Sequence, residues 1–436
     1  MVRTLLGAGL VRQLTTYVGS AGSMIGGLTA QLFAFVVLAR HLGPSQFGVL
    51  MTITAVTGFT LTLCGLGGGD TMVRRLARQR SLYPALLGHN LMLIGLSGTV
   101  LTVAVTAILA WAEKVSPAAS ANVFDFALFT FSSVVLYRWI VLAEQVFLGL
   151  GQFTRANLVN GGFAAARAAT AVVACFGFGV SDLATWIYWH SAVHAVGSLA
   201  CVVALAKQPR PEWRFVPGEI GLGIHACTPT VFDTLRQNID RLVLSAIAPA
   251  EVVGIYGAAT RFVQTSVVTI IAMGRVLYPL LSARGGDGLA AVVRLIARFL
   301  PMLLGIAAAT TVAMYLCAGL LGLLFGEAYR DIVPYVRIMV WLLPLVAITN
   351  AAYDALGAAD RHAVRAHIFN ANAILATGLV ALLTWRGGVY GAFAAMFVSQ
   401  TLIAISLWLA VGVMVRKGRD GPPMPACDLS GGSLVR

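Results

Sequence analysis

Long apolar runs separated by short polar segments dominate the chain. Twelve runs of about 20 residues can be placed, and about 20 helical residues cross ~30 Å of hydrocarbon. We predict membrane-spanning helices near 17–39, 47–68, 86–111, 123–149, 156–179, 183–206, 223–247, 252–281, 299–323, 333–356, 366–385 and 389–414. Before them, residues 1–16 place leucines opposite arginines at helical spacing, which indicates either an amphipathic surface helix or a frayed terminus.

The seventh predicted span differs from the others because it carries four charges. Asp233, Arg236, Asp240 and Arg241 lie within residues 230–245 and, at about 100° per residue, share roughly 140° of one helical face. Each charge costs about 2.5–3.5 kcal/mol at a bilayer centre, so this face must contact a wet cavity or partner charges. The span therefore either lines a working cavity or forms ion pairs that hold two parts of the protein together.

Composition agrees with a polytopic membrane protein. Hydrophobic residues make up 58% of the chain, charged residues only 11%, and the mean hydropathy is +0.85, whereas soluble domains have about 25% charged residues. The net charge of +13 does not indicate nucleic-acid binding, because most cations lie in short segments between apolar runs. The six cysteines form no CxxC motif, so we interpret them as core residues rather than metal ligands.

The distribution of Lys and Arg predicts the orientation. Nineteen of the 30 lie on the side that both predicted termini share, and only four lie on the opposite side. The positive-inside rule therefore predicts that both termini are cytoplasmic. The outer loops are short, which argues against a membrane enzyme that holds its acceptor outside, and no Walker lysine motif indicates direct use of ATP.

The two halves of the chain repeat. Leu42-Gly43-Pro44 after the first span matches Ile247-Ala248-Pro249 after the seventh, at an offset of 205 residues. A second pair of landmarks, after the fourth and tenth spans, has an offset of 206. An even number of helices per unit makes the repeats parallel, and transporters of this design bind at the interface between halves. We predict an N-terminal lobe over 17–206, a cytoplasmic linker over 207–222, a C-terminal lobe over 223–414 and a disordered tail over 415–436.

Several motifs in this order resemble the polysaccharide-repeat-unit (Wzx-like) flippases of the multidrug/oligosaccharidyl-lipid/polysaccharide exporter superfamily. The resemblance covers about residues 15–415. It is carried by LARHLGPSQFG at 38–48, GGGD at 67–70, Arg74-Arg75, Asp240-Arg241, VGIY at 253–256, Tyr278-Pro279 and LFGEAY at 324–329.

The resemblance implies an all-α polytopic bundle whose two six-helix lobes form a V around a central polar cavity. It implies alternating-access transport of an undecaprenyl-pyrophosphate-linked oligosaccharide from the inner to the outer leaflet of the bacterial cytoplasmic (inner) membrane. The product would feed O-antigen, lipopolysaccharide, capsule or exopolysaccharide assembly. Expected partners are the lipid bilayer, a polysaccharide polymerase and glycosyltransferases, with no nucleic acid and no cofactor beyond an ion or proton gradient.

Intramembrane arginines are the candidate ligands for such a substrate, because the guanidinium fork suits phosphate oxygens. Polar partners on the same helices complete the predicted substrate-binding set: Arg138, Asn160, Arg167, Arg236, Arg241, Arg261 and Gln264. For Arg138 and Arg167, pairing with a carboxylate such as Glu144, or snorkelling to the surface, are the alternatives. For coupling or gating we predict Asp233, Glu144, Asp240 and Asp354. Glu144 and Asp354 could instead cap inner loops, and the Asp240-Arg241 pair could be structural.

A polar and aromatic cluster begins the sixth span. Trp186, Tyr188, Trp189, His190 and His194 are interpreted as an outer interfacial belt. The two histidines, at i and i+4, could bind a metal or carry protons, but no third ligand is in view, so no metal is predicted.

Three rival functions remain open. A cation-coupled drug exporter of the same superfamily would favour carboxylates in its lumen, whereas the spans hold seven arginines and about five carboxylates. A membrane enzyme acting on polyprenyl-linked sugars would need larger outer loops. A non-transporting scaffold would have paired charges and no continuous cavity.

Overall fold

The computed structural model describes the backbone of residues 2–115 and 121–419, and side chains within 31–112, 121–274 and 277–417. Most of these residues are helical and none of them lies in a strand. The helices are α1 (Val2–Leu63), α2 (Gly68–Arg78), α3 (Tyr83–Val115), α4 (Val123–Phe131), α5 (Tyr137–Gly149), α6 (Phe153–Val172), α7 (Leu183–Leu205), α8 (Glu219–Ile247), α9 (Ala250–Ala283), α10 (Leu289–Cys317), α11 (Leu321–Phe325), α12 (Ile332–Met339), α13 (Leu342–Ala358) and α14 (His362–Arg419).

Two glycines divide the longest helices. Gly43 (φ +71°) breaks α1 and Gly388 (φ +56°) breaks α14, since both adopt a backbone conformation that side chains disfavour. Nine helices in the described part of the chain are long and apolar enough to cross a membrane, and α1 and α14 are two of them. Because each of these two is broken into two segments, eleven apolar segments result. The fold class is the predicted one. The count of twelve spans, in which the charged helix α8 would be the twelfth, stays a prediction.

Some predicted boundaries differ from the observed ones. The linker ends earlier than predicted because α8 begins at Glu219, after Gly218 in a left-handed conformation. The second span ends in a glycine-rich turn after Leu63, and α2 continues beyond it. Helix α14 extends to Arg419, into the predicted tail, and the rest of the tail lies outside the described residues. The side chains of residues 1–16, and of Arg275, also lie outside them.

Small residues bring the two lobes together at the arginine-poor end of the bundle. A Cβ added to Gly48 of α1 would lie 1.7 Å from the carbonyl oxygen of Ala250 in α9, and one added to Gly254 would lie 2.2 Å from that of Pro44. The Tyr329 hydroxyl also donates to the carbonyl oxygen of Ala39, at 2.9 Å. Backbones pack this closely only where no side chain intervenes.

A second contact joins the lobes at the arginine-rich end. A Cβ added to Gly67 (φ +72°) would lie 2.2 Å from the carbonyl oxygen of Gly223 in α8. Beside it, Arg75 of α2 forms an ion pair of 2.7 Å with Glu219, whose side chain is only 1% exposed. The lobes therefore touch at both ends of the bundle.

The Arg75–Glu219 pair is expected to hold the arginine-rich end closed. Replacing Arg75 by Ala leaves the buried Glu219 carboxylate without its partner, and because the Arg75 side chain is 42% exposed the cost should be smaller than the about 3–5 kcal/mol of a fully buried pair. We expect the lobes to separate there, so that a cysteine at Asn160 reacts faster with a thiol reagent applied from that side.

The exposed pair of Arg214 and Glu212, 3.0 Å apart, supplies the control. Arg214→Ala should leave labelling unchanged, because exposed pairs contribute only about 0–1 kcal/mol. The double reversal Arg75→Glu with Glu219→Arg should restore slow labelling in part. Unchanged labelling in Arg75→Ala would contradict a closing role for the pair.

Candidate substrate cavity between the lobes

A cavity of about 640 Å³ lies between the two lobes. Helices α1, α4, α5, α6 and α7 of the N-terminal lobe form most of its wall, and α8 and α9 of the C-terminal lobe complete it. Its charged and amide lining residues are Gln31, Glu144, Asn157, Asn160, Arg167, Arg241 and Arg261, and hydroxyl side chains of α1, α5 and the turn between α4 and α5 add further hydrogen-bonding groups. The cavity is large and polar enough for a hydrated headgroup.

Three guanidinium groups form a cationic cluster in this cavity. Arg167 comes from α6, Arg241 from α8 and Arg261 from α9, and Arg261 lies within electrostatic range of the other two. None of the three has an ion-pair partner among the described side chains. Like charges held together repel one another, and a bound anion would relieve that repulsion. The cluster is therefore suited to phosphate groups, which guanidinium binds through paired hydrogen bonds.

Away from the arginine cluster, the wall of the cavity carries amide groups and one carboxylate. The Asn160 amide donates to the Glu144 carboxylate at 3.1 Å. Along α6, Asn157, Asn160 and Arg167 all line the cavity, in a stripe about 15 Å long at 1.5 Å per residue. The lining of the cavity thus runs from the arginine cluster to the amides and the carboxylate at the start of α6 and the end of α5.

Three residues of the predicted substrate-binding set lie outside the cavity lining. Arg138 lies at the glycine-rich turn, with its Nε 3.4 Å from the position of a Cβ on Gly65. Arg236 forms a 2.9 Å ion pair with Asp233 on its own helix, and its guanidinium lies 6.0 Å from the ring centre of Phe369. Gln264, one turn beyond Arg261 on α9, is not part of the lining either.

The predicted gating carboxylates fall in different places. Asp233 accepts from both Arg236 and Gln237 within α8, so this ion pair neutralises the charges but does not join two parts of the protein. Asp240 accepts from the backbone N–H of Arg241 at 2.8 Å and from the hydroxyl of Tyr256, which fixes α8 to α9 and turns the carboxylate away from the cavity lining. The four charges of residues 230–245 therefore differ in their surroundings: Arg241 lines the cavity, and the other three have partners within α8 or, for Asp240, also on α9.

Asp354 lies elsewhere, in the interior of the C-terminal lobe. Together with Asn350 it lines a void of about 20 Å³, and it approaches Gly274 of α9. A void of that size holds at most about one water molecule. Of the four predicted gating residues, only Glu144 lines the large cavity.

The interpretation of the sixth span as an interfacial belt is wrong for three of its residues. Trp186, His190 and His194 are buried and line the cavity, whereas Tyr188 is half exposed on another face of α7. Their spacing at i, i+4 and i+8 places them on one helical face, and this signal was available in the sequence. The residue types alone suggested a membrane interface.

The comparison with solved structures defines the fold. An inward-facing MATE multidrug transporter of the MOP superfamily superposes with a TM-score of 0.72 at 17% identity, covering 90% of this chain and 96% of that one. The lipid II flippase MurJ, in an inward closed conformation, superposes with a TM-score of 0.68 at 12% identity, covering 90% and 87%. An outward-facing MATE transporter superposes with a TM-score of only 0.51. The chain has the fold of these membrane transporters.

The family follows from the sequence model of the polysaccharide biosynthesis proteins, which matches residues 19–284. The chain belongs to this family, and the resemblance inferred from the motifs is confirmed. No match was found among curated proteins. Family and fold together define a multi-pass membrane protein of the polysaccharide biosynthesis family with the fold of the MATE transporters and of MurJ.

Proposed function

We propose that this protein is a flippase that moves an undecaprenyl-pyrophosphate-linked oligosaccharide from the inner to the outer leaflet of the bacterial cytoplasmic membrane for surface polysaccharide assembly. The observation that carries this proposal is the cluster of Arg167, Arg241 and Arg261, without ion-pair partners among the described side chains, in a cavity of about 640 Å³. A pyrophosphate supplies the anion that the cluster lacks, and the polar remainder of the wall suits a sugar.

The contacts at the two ends of the bundle support alternating access. The glycine contact at Gly48 closes the arginine-poor end, and the contact at Gly67 with the Arg75–Glu219 pair closes the arginine-rich end. Opening one contact while the other persists would expose the cavity to one side at a time. Both closures are contacts between whole helices, so rocking of the lobes can break either without unfolding a helix.

The charge of the cavity favours an anionic substrate over the cationic drugs expected of the rival exporter. Its lining holds three arginines and one carboxylate, Glu144, which is already hydrogen-bonded to Asn160. A lumen that attracts cations needs the reverse balance. Efflux of a cationic dye by the expressed protein, unaffected by Arg261→Gln, would favour the drug exporter.

We further propose that both termini are cytoplasmic, that a polysaccharide polymerase and glycosyltransferases act before and after transport, and that an ion or proton gradient supplies the energy. Glu144 is the candidate coupling residue because it lines the cavity beside Asn160. Asp354, within its own lobe, is the alternative.

Deletion of the gene tests the function directly. In the deletion strain we expect lipid-linked repeat units to accumulate on the inner leaflet and surface polysaccharide to be lost, because a charged headgroup does not cross the bilayer core unaided. Thin-layer chromatography of labelled polyprenyl lipids, with an impermeant probe to assign the leaflet, measures both. Normal surface polysaccharide without accumulation would refute the proposal.

A further inference from the structure

The wall of the cavity beside the arginine cluster contains a group with no role so far. We call Ser133, Trp186, His190 and His194 the histidine wall. All four line the cavity. The histidines are only 7% and 2% exposed, so only a small part of each is accessible from the cavity. Such a surface offers a few directional hydrogen bonds rather than a general wet surface.

Hydrogen bonds hold the histidine wall in place. Residues 132–136, between α4 and α5, form a turn of π-helix, and such turns often occur at functional sites. From this turn, Ser133 Oγ lies 3.0 Å from His190 Nε2. His194 Nδ1 lies 2.7 Å from the carbonyl oxygen of His190. Because a carbonyl only accepts, Nδ1 carries the proton, and in the neutral ring Nε2 is the acceptor.

Flat rings surround the two imidazoles. His190 stacks on Phe129 at a centroid distance of 4.5 Å and lies 4.1 Å from His194. His194 packs against Phe163 and Tyr137 at 5.0 and 5.9 Å. Fixed donors and acceptors among aromatic faces are suited to a sugar ring, which has hydroxyl groups around its edge and apolar C–H groups on its faces.

The histidine wall directly adjoins the arginine cluster. The guanidinium of Arg167 lies 6.0 Å from the ring centre of Phe163, which also contacts His194. Tyr137 is within electrostatic range of both Arg167 and Arg261. In a lipid-linked oligosaccharide the first sugar is bonded to the phosphate, so a phosphate on the cluster would place that sugar beside His194.

Two other roles for the histidine wall are less well supported. No group of three metal-ligating side chains occurs in the described part of the chain, so the pair lacks a third ligand. A proton-carrying role needs a charged form, yet Arg167 of α6 is within electrostatic range of both histidines, Tyr137 of α5 packs against His194, and the other cations of the cavity lining are Arg241 of α8 and Arg261 of α9. Glu144, the carboxylate of this lining, lies two turns beyond Tyr137 and is engaged by Asn160.

We propose that the histidine wall is the recognition subsite for the sugar residue attached to the pyrophosphate, with His190 and His194 as specificity-determining residues. This inference rests on the proposed function. It divides the cavity into an arginine cluster, which binds any polyprenyl pyrophosphate, and a histidine wall, which adds affinity only when a sugar is present.

Binding of two probes to the purified full-length protein tests this division. The probes are farnesyl pyrophosphate, which has no sugar, and the lipid-linked oligosaccharide extracted from the deletion strain. For His190→Phe and His194→Phe we expect about tenfold weaker binding of the oligosaccharide lipid per hydrogen bond lost, because a phenyl ring keeps the shape and removes the polar edge. Binding of farnesyl pyrophosphate should stay within about twofold.

Matched variants separate the alternatives. His190→Gln and His194→Gln keep hydrogen-bonding groups, guard against misfolding and should retain part of the preference for the oligosaccharide lipid. Val196→Phe, at a position 67% exposed on another face of α7, should change neither probe. Arg261→Gln should weaken both probes.

The outcomes are distinguishable. Equal weakening of both probes, or of neither, by the histidine variants would overturn the sugar subsite. If binding lost a pH dependence in the Gln variants while the ratio of the affinities for the oligosaccharide lipid and for farnesyl pyrophosphate stayed unchanged, the sugar subsite would be overturned in favour of a proton site. Arg261→Gln without effect on either probe would instead remove the basis of the proposed function.

Discussion

Replacing Arg261 by Gln is expected to reduce export of the lipid-linked oligosaccharide by about 10- to 100-fold. Arg261 lies within electrostatic range of both Arg167 and Arg241, so its guanidinium is the member of the cluster best placed to share an anion with the others. A charged hydrogen bond contributes about 1.5–3 kcal/mol, and each 1.4 kcal/mol is a factor of ten. Export is measured as the rate at which labelled repeat units reach the outer leaflet.

The control for Arg261 is another arginine in a predicted span that lies outside the cavity. Arg337 stacks on Tyr315 with its guanidinium 5.1 Å from the ring centre and is not part of the cavity lining. Arg337→Gln should leave export unchanged when membrane insertion is equal. Equal losses of export in the two variants would mean that the arginines act through folding rather than through substrate.

Replacing Gly48 by Ala is expected to prevent closure at the arginine-poor end. The added Cβ would lie 1.7 Å from the carbonyl oxygen of Ala250, so α1 and α9 must move apart. Overpacking costs about 1–3 kcal/mol, which shifts the balance between closed and open forms by roughly 5- to 150-fold. A cysteine at Thr54, which lines the cavity, should then react faster with an impermeant thiol reagent applied from that side, and export should fall.

Gly95→Ala is the control for the glycine contact. Gly95 lies in α3, and a Cβ added there would meet nothing within 4 Å, so labelling at Thr54 should not change. If Gly48→Ala exported normally with slow labelling, the contact of α1 with α9 would not be the closure of that end.

The sequence predicted the architecture well because bilayer physics constrains it tightly. Hydrophobic runs, short loops and the repeat around Pro44 and Pro249 led to an all-helical bundle of two lobes. The Asn157, Asn160 and Arg167 stripe was also predictable, because residues on one helix have a fixed relation.

The rest of the site depends on distances between helices, which sequence spacing does not contain. Arg236 and Arg241 share a helical face, yet the first pairs with Asp233 and the second lines the cavity. Arg138 lies at the glycine-rich turn because Gly65 leaves room for its side chain. His190 was misassigned because aromatic neighbours are typical both of a membrane interface and of a sugar-binding wall.

The linker between the lobes limits how far the arginine-rich end can open. Its backbone is bound to the N-terminal lobe: Glu212 donates to the carbonyl oxygen of Pro84 at 2.9 Å, and Val216 donates to His89 Nδ1 at 3.2 Å. The turn from Val216 to Glu219 is closed by one backbone hydrogen bond, from the Glu219 N–H to the Val216 carbonyl oxygen at 3.3 Å, and fully extended at ~3.3–3.6 Å per residue it would span about 10 Å. The linker thus acts as a stop, because α8 can move away from α3 at this point by no more than that length unless the segment around Val216 first detaches from α3.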